Sequence, residues 1–117
     1  MSIKANLTTA LELVNAGWAK GNVYDSGCYC LLGAIAAART GLRGREFQDW
    51  HYHYHTDSAY NVTPEVELVA EVAATEFPGR GDGEYLADQV YRFNDNPDTQ
   101  QADVVRVLAK AIEAAGE

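Results

Sequence analysis

The sequence predicts an all-α fold: a compact bundle of about five helices around a buried central helix. Three observations carry that reading. No segment alternates apolar and polar residues for the length a half-buried strand needs. The run CYCLLGAIAAA, residues 28–38, has no charge on any helical face, as a helix enclosed by others would. Gly and Pro punctuation divides the chain into five stretches with helical apolar spacing.

The 117 residues, 47% of them hydrophobic, suffice for one packed domain, 1–117, and not for two. The first helix is expected over residues 5–16, with Leu7, Leu11, Val14 and Trp18 at helical spacing, Thr9 and Glu12 as a capping box and Gly17 as the stop. The second, over 28–39, is the central one. Gly33 inside it costs about 1 kcal/mol relative to alanine, and close approach of a neighbouring helix would explain its presence. Residues 42–62 form a long aromatic loop, in which 45–52 offers a short helix or a hairpin arm. The third helix has a clear start. Thr63 caps it, Pro64 suits the first helical position, and Glu65 and Glu67 complement the positive end of the dipole. Val66, Val69, Ala73 and Phe77 face inward, and Pro78 and Gly79 stop it. A fourth helix over 84–92 buries Leu86, Val90 and Phe93. After the turn FNDNPDT, Asp98 or Thr99 caps a fifth helix with the stripe Val104, Val107, Leu108, Ala111 and Ala115.

Charge narrows the classes of function. The net charge of −8 is uneven: residues 1–55 hold five bases and four acids, residues 56–117 four bases and thirteen acids. The acidic half repels phosphate, so no nucleic-acid partner is expected. The cluster Arg39, Arg43 and Arg45 reads as a solvated loop after a helix. The start, MSIKANLTTALEL, lacks a signal-peptide core, and no apolar run approaches the ~20 residues of a membrane span. A cytoplasmic protein without membrane contact is expected, with Cys28 and Cys30 reduced.

Residues 50–55, WHYHYH, are the most unusual stretch. On a strand, His51, His53 and His55 would share a side, which suits zinc, with Cys28 or Cys30 completing a mixed site. Alternate strand residues lie about 6.6 Å apart, however, and ligands of one zinc converge within about 2.1 Å of it. In a helix, positions i and i+2 diverge. Trp50, Tyr52, Tyr54 and Tyr60 are the better candidates: aromatic side chains with polar tips anchor protein interfaces, or fold back on the core. Cys30, near a helix start, is a candidate nucleophile with a loop histidine as base and Asn94 or Asp95 as orienter. Burial in an apolar helix would instead make the thiol inert. Asn94 and Asp95 read as turn residues that bond the local backbone, and Glu65, Glu67, Glu71 and Glu76 as a solvated helix face.

Three short motifs add a resemblance. Trp18 with Lys20-Gly21, then Cys30-Leu31-Leu32-Gly33-Ala34, then Phe93-Asn94-Asp95 with Thr99, Asp103-Val104 and Ala111 resemble a small family of uncharacterised proteins of actinobacteria and their phages. The similarity covers residues 7–38 and 90–112, and WHYHYH falls outside it. The resemblance implies a helical domain and singles out Trp18, Cys30, Gly33, Asn94 and Asp95. It implies no activity.

The combined expectation is a non-enzymatic interaction module, phage-encoded and acting on a host protein. Trp50, Tyr52, Tyr54 and Tyr60 are its anchors, it needs no cofactor, and its partner is a basic protein or a second copy of the chain. A cysteine-dependent hydrolase or transferase using Cys30, and a zinc protein, are the alternatives. All depend on whether the stretch from Cys28 is sealed inside.

Overall fold

The computed structural model describes residues 2–54 and 63–116. Among them the chain forms six helices and one small hairpin. The first helix, α1 (Ile3–Ala16), starts earlier than its apolar pattern indicates, because Ser2 caps it by accepting a hydrogen bond from the Ala5 N–H. Thr9 is not a cap: its hydroxyl donates to the Ala5 carbonyl within the helix. Leu7, Ala10 and Val14 form the buried stripe.

The central helix, α2 (Leu31–Thr40), begins three residues later than expected. Cys28 and Tyr29 belong to a strand, β2, paired with β1 (Tyr24–Asp25) across a turn at Ser26 and Gly27. Both turn residues have positive φ, 51° and 90°, as two-residue hairpin loops demand. Two-residue strands leave no alternating pattern, which is why the hairpin is invisible in a fold otherwise built of helices. The Tyr29 N–H also donates to the Gly17 carbonyl, and the Ala19 N–H to the Tyr29 carbonyl, so the segment after α1 lies alongside β2.

From Leu31 to Ala38 every residue of α2 is buried, packed against α1, α4 and α5. Gly33 does mark a close approach, but to the hairpin and not to a helix. A Cβ there would lie 2.3 Å from the Val23 carbonyl oxygen.

Residues 44–54 form a full helix, α3 (Gly44–Tyr54), longer than the 45–52 segment the sequence offered. Its period is 3.6, not 2: Phe47, Trp50 and His51 recur at i, i+3 and i+4. Phe47 is fully buried and anchors the helix to the hairpin, its ring 5.3 Å from Tyr29 and 6.1 Å from Tyr24.

The next helix, α4 (Pro64–Glu76), starts as the sequence predicts, with Thr63 Oγ1 accepting from the Val66 N–H. Glu65 departs from the expected solvated face. It is 1% exposed, paired to Arg39 at 2.6 Å and bonded by Asn6 Nδ2 at 2.9 Å. Arg39 therefore does not belong to a purely solvated cluster.

The last two helices are α5 (Leu86–Asp95) and α6 (Gln101–Ala115). Asn94 and Asp95 occupy the last turn of α5 and not the loop. Gln100 and Asp103 form the capping box of α6, in place of Asp98 or Thr99. Val104, Val107, Leu108 and Ala111 are buried as expected. Among the described residues, no helix is long and apolar enough to cross a membrane.

Candidate functional site

Asn94 is fully buried and joins three distant parts of the chain. Its Oδ1 accepts from Trp18 Nε1 at 2.6 Å and from the Leu31 N–H at 3.0 Å. Its Nδ2 donates to the Ala19 carbonyl at 3.1 Å and to Asp95 Oδ1 at 2.9 Å. A carboxamide has two acceptor sites and two donor hydrogens, so its hydrogen-bonding capacity is fully used. Asp95 Oδ1 also accepts from the Gly21 N–H at 2.9 Å. The two side chains read as local turn formers thus bond backbone some 60 to 75 residues away.

The clamp solves a specific problem. The first N–H groups of a helix have no partner inside it, and the start of α2 is buried. Asn94 takes the Leu31 N–H, and Cys30 Sγ takes the Gly33 N–H at 3.3 Å. Trp18, Cys30, Gly33, Asn94 and Asp95, scattered over 78 positions, therefore converge on one junction between α1, the hairpin, α2 and α5. Lys20 reinforces it, its Nζ 2.8 Å from the Thr99 carbonyl and 5.6 Å from the Trp18 ring centroid.

Beside the clamp lies a cavity of about 350 Å³. Cys30 lines it together with Val23, Leu32 and Ala87. His51 reaches it from α3, and Asp88, Tyr91 and Asp95 from α5. The structure thus brings the candidate nucleophile, one candidate base and one candidate orienter to the lining of one cavity. Asp88 and Tyr91 escaped the sequence reading. Their signal is the spacing 88, 91, 95 on one helix face, which gains meaning only once the neighbouring surface is known.

The electrostatics oppose thiol chemistry. Cys30 is 3% exposed, and burial pushes its thiol up to about 12. The Gly33 N–H pulls the other way and the Asp95 carboxylate adds to the rise. Near neutral pH the group is a protonated thiol that caps a helix. Cys28 is half-buried on the hairpin.

Of the aromatic candidates, Trp50 is half-buried, with its ring 5.7 Å from Phe47, so it shares in the packing of α3. Tyr52 is 76% exposed, the most exposed large apolar-bodied side chain described. Tyr54 ends α3, and its side chain lies outside the described residues, as do Tyr60 and His55. His51 stacks on Phe47 at 6.3 Å, whereas His53 meets the Tyr52 ring edge-on at 5.5 Å. Helical geometry sends His51 and His53 in different directions. Among the described residues, no group of three His, Cys, Asp or Glu could hold a metal ion.

Fold and site define a small, mostly helical domain organised by a buried asparagine clamp and a cysteine cap. The chain belongs to the family of unknown function DUF6197, whose model matches residues 1–114. That match takes in residues 50–55, which the short motifs alone left outside. No curated protein and no solved structure matches the chain.

Proposed function

We propose that this protein is a non-enzymatic interaction module, phage-encoded and cytoplasmic, that docks on a basic host protein through α3. The observation that supports this most is the two-sidedness of that helix. Phe47 fixes one side to the hairpin, while Tyr52 stands 76% exposed on another. An aromatic side chain held on a rigid element supplies contact area with little loss of rotamer entropy. The acidic balance of the chain, net −8, favours a basic partner by steering. Docking of a second copy through the same helix is the homo-oligomeric form of the reading.

One observation favours a second reading. Cys30, His51 and Asp95 share a cavity, as a cysteine-dependent hydrolase or transferase would require. The buried thiol, pushed up to about 12, weighs against it.

The test is quantitative capture from host lysate, comparing wild type with Tyr52→Ala and Trp50→Ala/Tyr52→Ala, each checked by circular dichroism. The expected result is loss of one stoichiometric protein on Tyr52→Ala, with recovery from wild type falling as salt rises. A folded Tyr52→Ala protein that captures the same set as wild type overturns the reading.

A further inference from the structure

We infer, on the reading that α3 is the docking helix, that its occupant is a second copy of this chain. The two copies of α3 lie antiparallel across a twofold axis, and Arg45 of each meets Tyr52 and Asp49 of the other.

The stripe that carries this pairing lies opposite the anchor of the helix. Phe47 is fully buried and packs on the hairpin. Arg45, Gln48, Asp49 and Tyr52 fall at i, i+3, i+4 and i+7 on the far side, and all four are exposed. Rows of this spacing are the ridges by which two helices interdigitate. Tyr52 is the most exposed of them in the aromatic sense, with 76% of its surface accessible. Among the described residues, the side chains of Arg45, Gln48 and Asp49 make no hydrogen bond or ion pair. A cation, an anion and a carboxamide therefore stand beside an accessible ring.

Their order along the stripe decides the geometry. The cation is at the amino-terminal end, the anion in the middle and the ring at the carboxy-terminal end. A second copy turned end over end, about an axis between positions 48 and 49, sets 45 against 52 and 48 against 49, each twice. The guanidinium then lies over the tyrosine face, with the carboxylate one turn back within reach of its fork. The Gln48 carboxamide donates to the Asp49 carboxylate across the axis. A parallel pair would instead set Arg45 beside Arg45 and Asp49 beside Asp49.

Charge favours the same face. The stripe holds one base and one acid and is neutral, whereas the whole chain carries −8. Residues 56–117 hold thirteen acids and four bases, so two copies repel each other through much of their remaining surface. A stripe with both signs in a fixed order is answered in full by its own reverse order, which a second copy supplies. The 11 residues of α3 span about 16 Å, so the contact is small and the dimer is one of roughly 100 μM strength.

The test is sedimentation velocity on the purified chain, from about 10 μM to about 1 mM. Wild type should show a reversible monomer–dimer equilibrium. Arg45→Glu and Asp49→Arg each bring like charges together and should weaken the dimer by about tenfold or more. The first replaces a base by an acid and takes the net charge from −8 to −10; the second does the reverse and takes it from −8 to −6. Loss in both therefore reports local pairing and not overall repulsion. Mixing the two variants, or combining both changes in one chain, sets opposite charges together again and should restore association. Circular dichroism checks that each variant is folded. A wild type that stays monomeric to about 1 mM overturns the inference, as does a dimer that neither reversal weakens or that the combined reversal does not restore. Lysate capture reads the docking helix separately. A monomeric wild type whose captured protein is lost on Tyr52→Ala removes the second copy as occupant and keeps α3 as the docking helix.

Discussion

Trp18 and Asn94, 76 residues apart, are joined by a 2.6 Å hydrogen bond from the indole Nε1 to the carboxamide Oδ1. The same oxygen takes the Leu31 N–H, so one side chain connects the end of α1, the start of α2 and the end of α5. Asn94→Ala strands two buried backbone groups, the Leu31 N–H and the Ala19 carbonyl, together with the half-buried indole N–H. Each costs roughly 1–3 kcal/mol, so the loss should approach the whole stability of a small domain, and no cooperative urea transition should survive. Trp18→Phe keeps most of the ring and removes one donor, and it should cost about 1–2 kcal/mol in the same measurement.

Gly33→Ala distinguishes packing from helix propensity by its sign. In an exposed helix the change stabilises by about 1 kcal/mol. Here the new methyl would lie 2.3 Å from the Val23 carbonyl oxygen, a backbone atom that cannot rotate away. The expected outcome is destabilisation by about 2–3 kcal/mol in chemical denaturation. Local change should appear in the amide spectrum around Val23 and Cys30, since the Cys30 N–H donates to that same oxygen.

The two cysteines should separate under alkylation. Cys28 is half-buried, whereas Cys30 is 3% exposed with its thiol pushed up to about 12. With iodoacetamide at pH 8, peptide mass spectrometry should find Cys28 modified at least tenfold faster, and urea should abolish the difference. Fast labelling of Cys30 in the folded protein would favour the enzymatic reading. The same shift sets a pH dependence. Below the ordinary thiol value of 9.0, folded and unfolded states both hold the proton, and stability does not depend on this group. Between that value and about 12 the unfolded state loses the proton while the folded state keeps it, so stability falls as pH rises. Cys30→Ser should make that alkaline decline shallower while lowering stability at pH 7.

Arg39 and Glu65 form an ion pair of unequal exposure, with 38% of the arginine side chain accessible and 2% of the glutamate. Arg39→Ala leaves a buried carboxylate with Asn6 alone and should cost about 3 kcal/mol. Glu65→Gln removes the charge that needs compensation and should cost less. Combined with Arg39→Ala, it should recover part of the loss, read as a coupling energy of about 1–2 kcal/mol in a double-mutant cycle.

Sequence signals for this fold were strongest where local chemistry decides. Thr63 and Pro64 specify the start of α4, and the uncharged run after Leu31 specifies a buried helix. They were weakest where distant parts of the chain decide. The absence of charge in CYCLLGAIAAA does not tell a strand from a helix, so the sequence places Cys28 and Tyr29 in the helix, whereas a two-residue turn puts them in a hairpin. WHYHYH shows a period of two that misleads, because Phe47, three residues before Trp50, sets the helical register. Asn94 and Asp95 favour turns by type, and only the tertiary fold reveals that they reach Trp18, Gly21 and Leu31. The cavity is legible only in part: Cys30 and His51 stand out by residue type, whereas Asp88 and Tyr91 carry no signal until the facing surface is known.

The link between positions 18 and 94 also imposes a timetable on synthesis. A ribosome releases α1 long before α5 and α6 are made, yet α1 rests chiefly on α6 and on α2, whose leading end waits for Asn94. The emerging polypeptide therefore cannot complete its first half while the second is still being translated, and the domain condenses late, in one step, once the carboxy-terminal helices arrive.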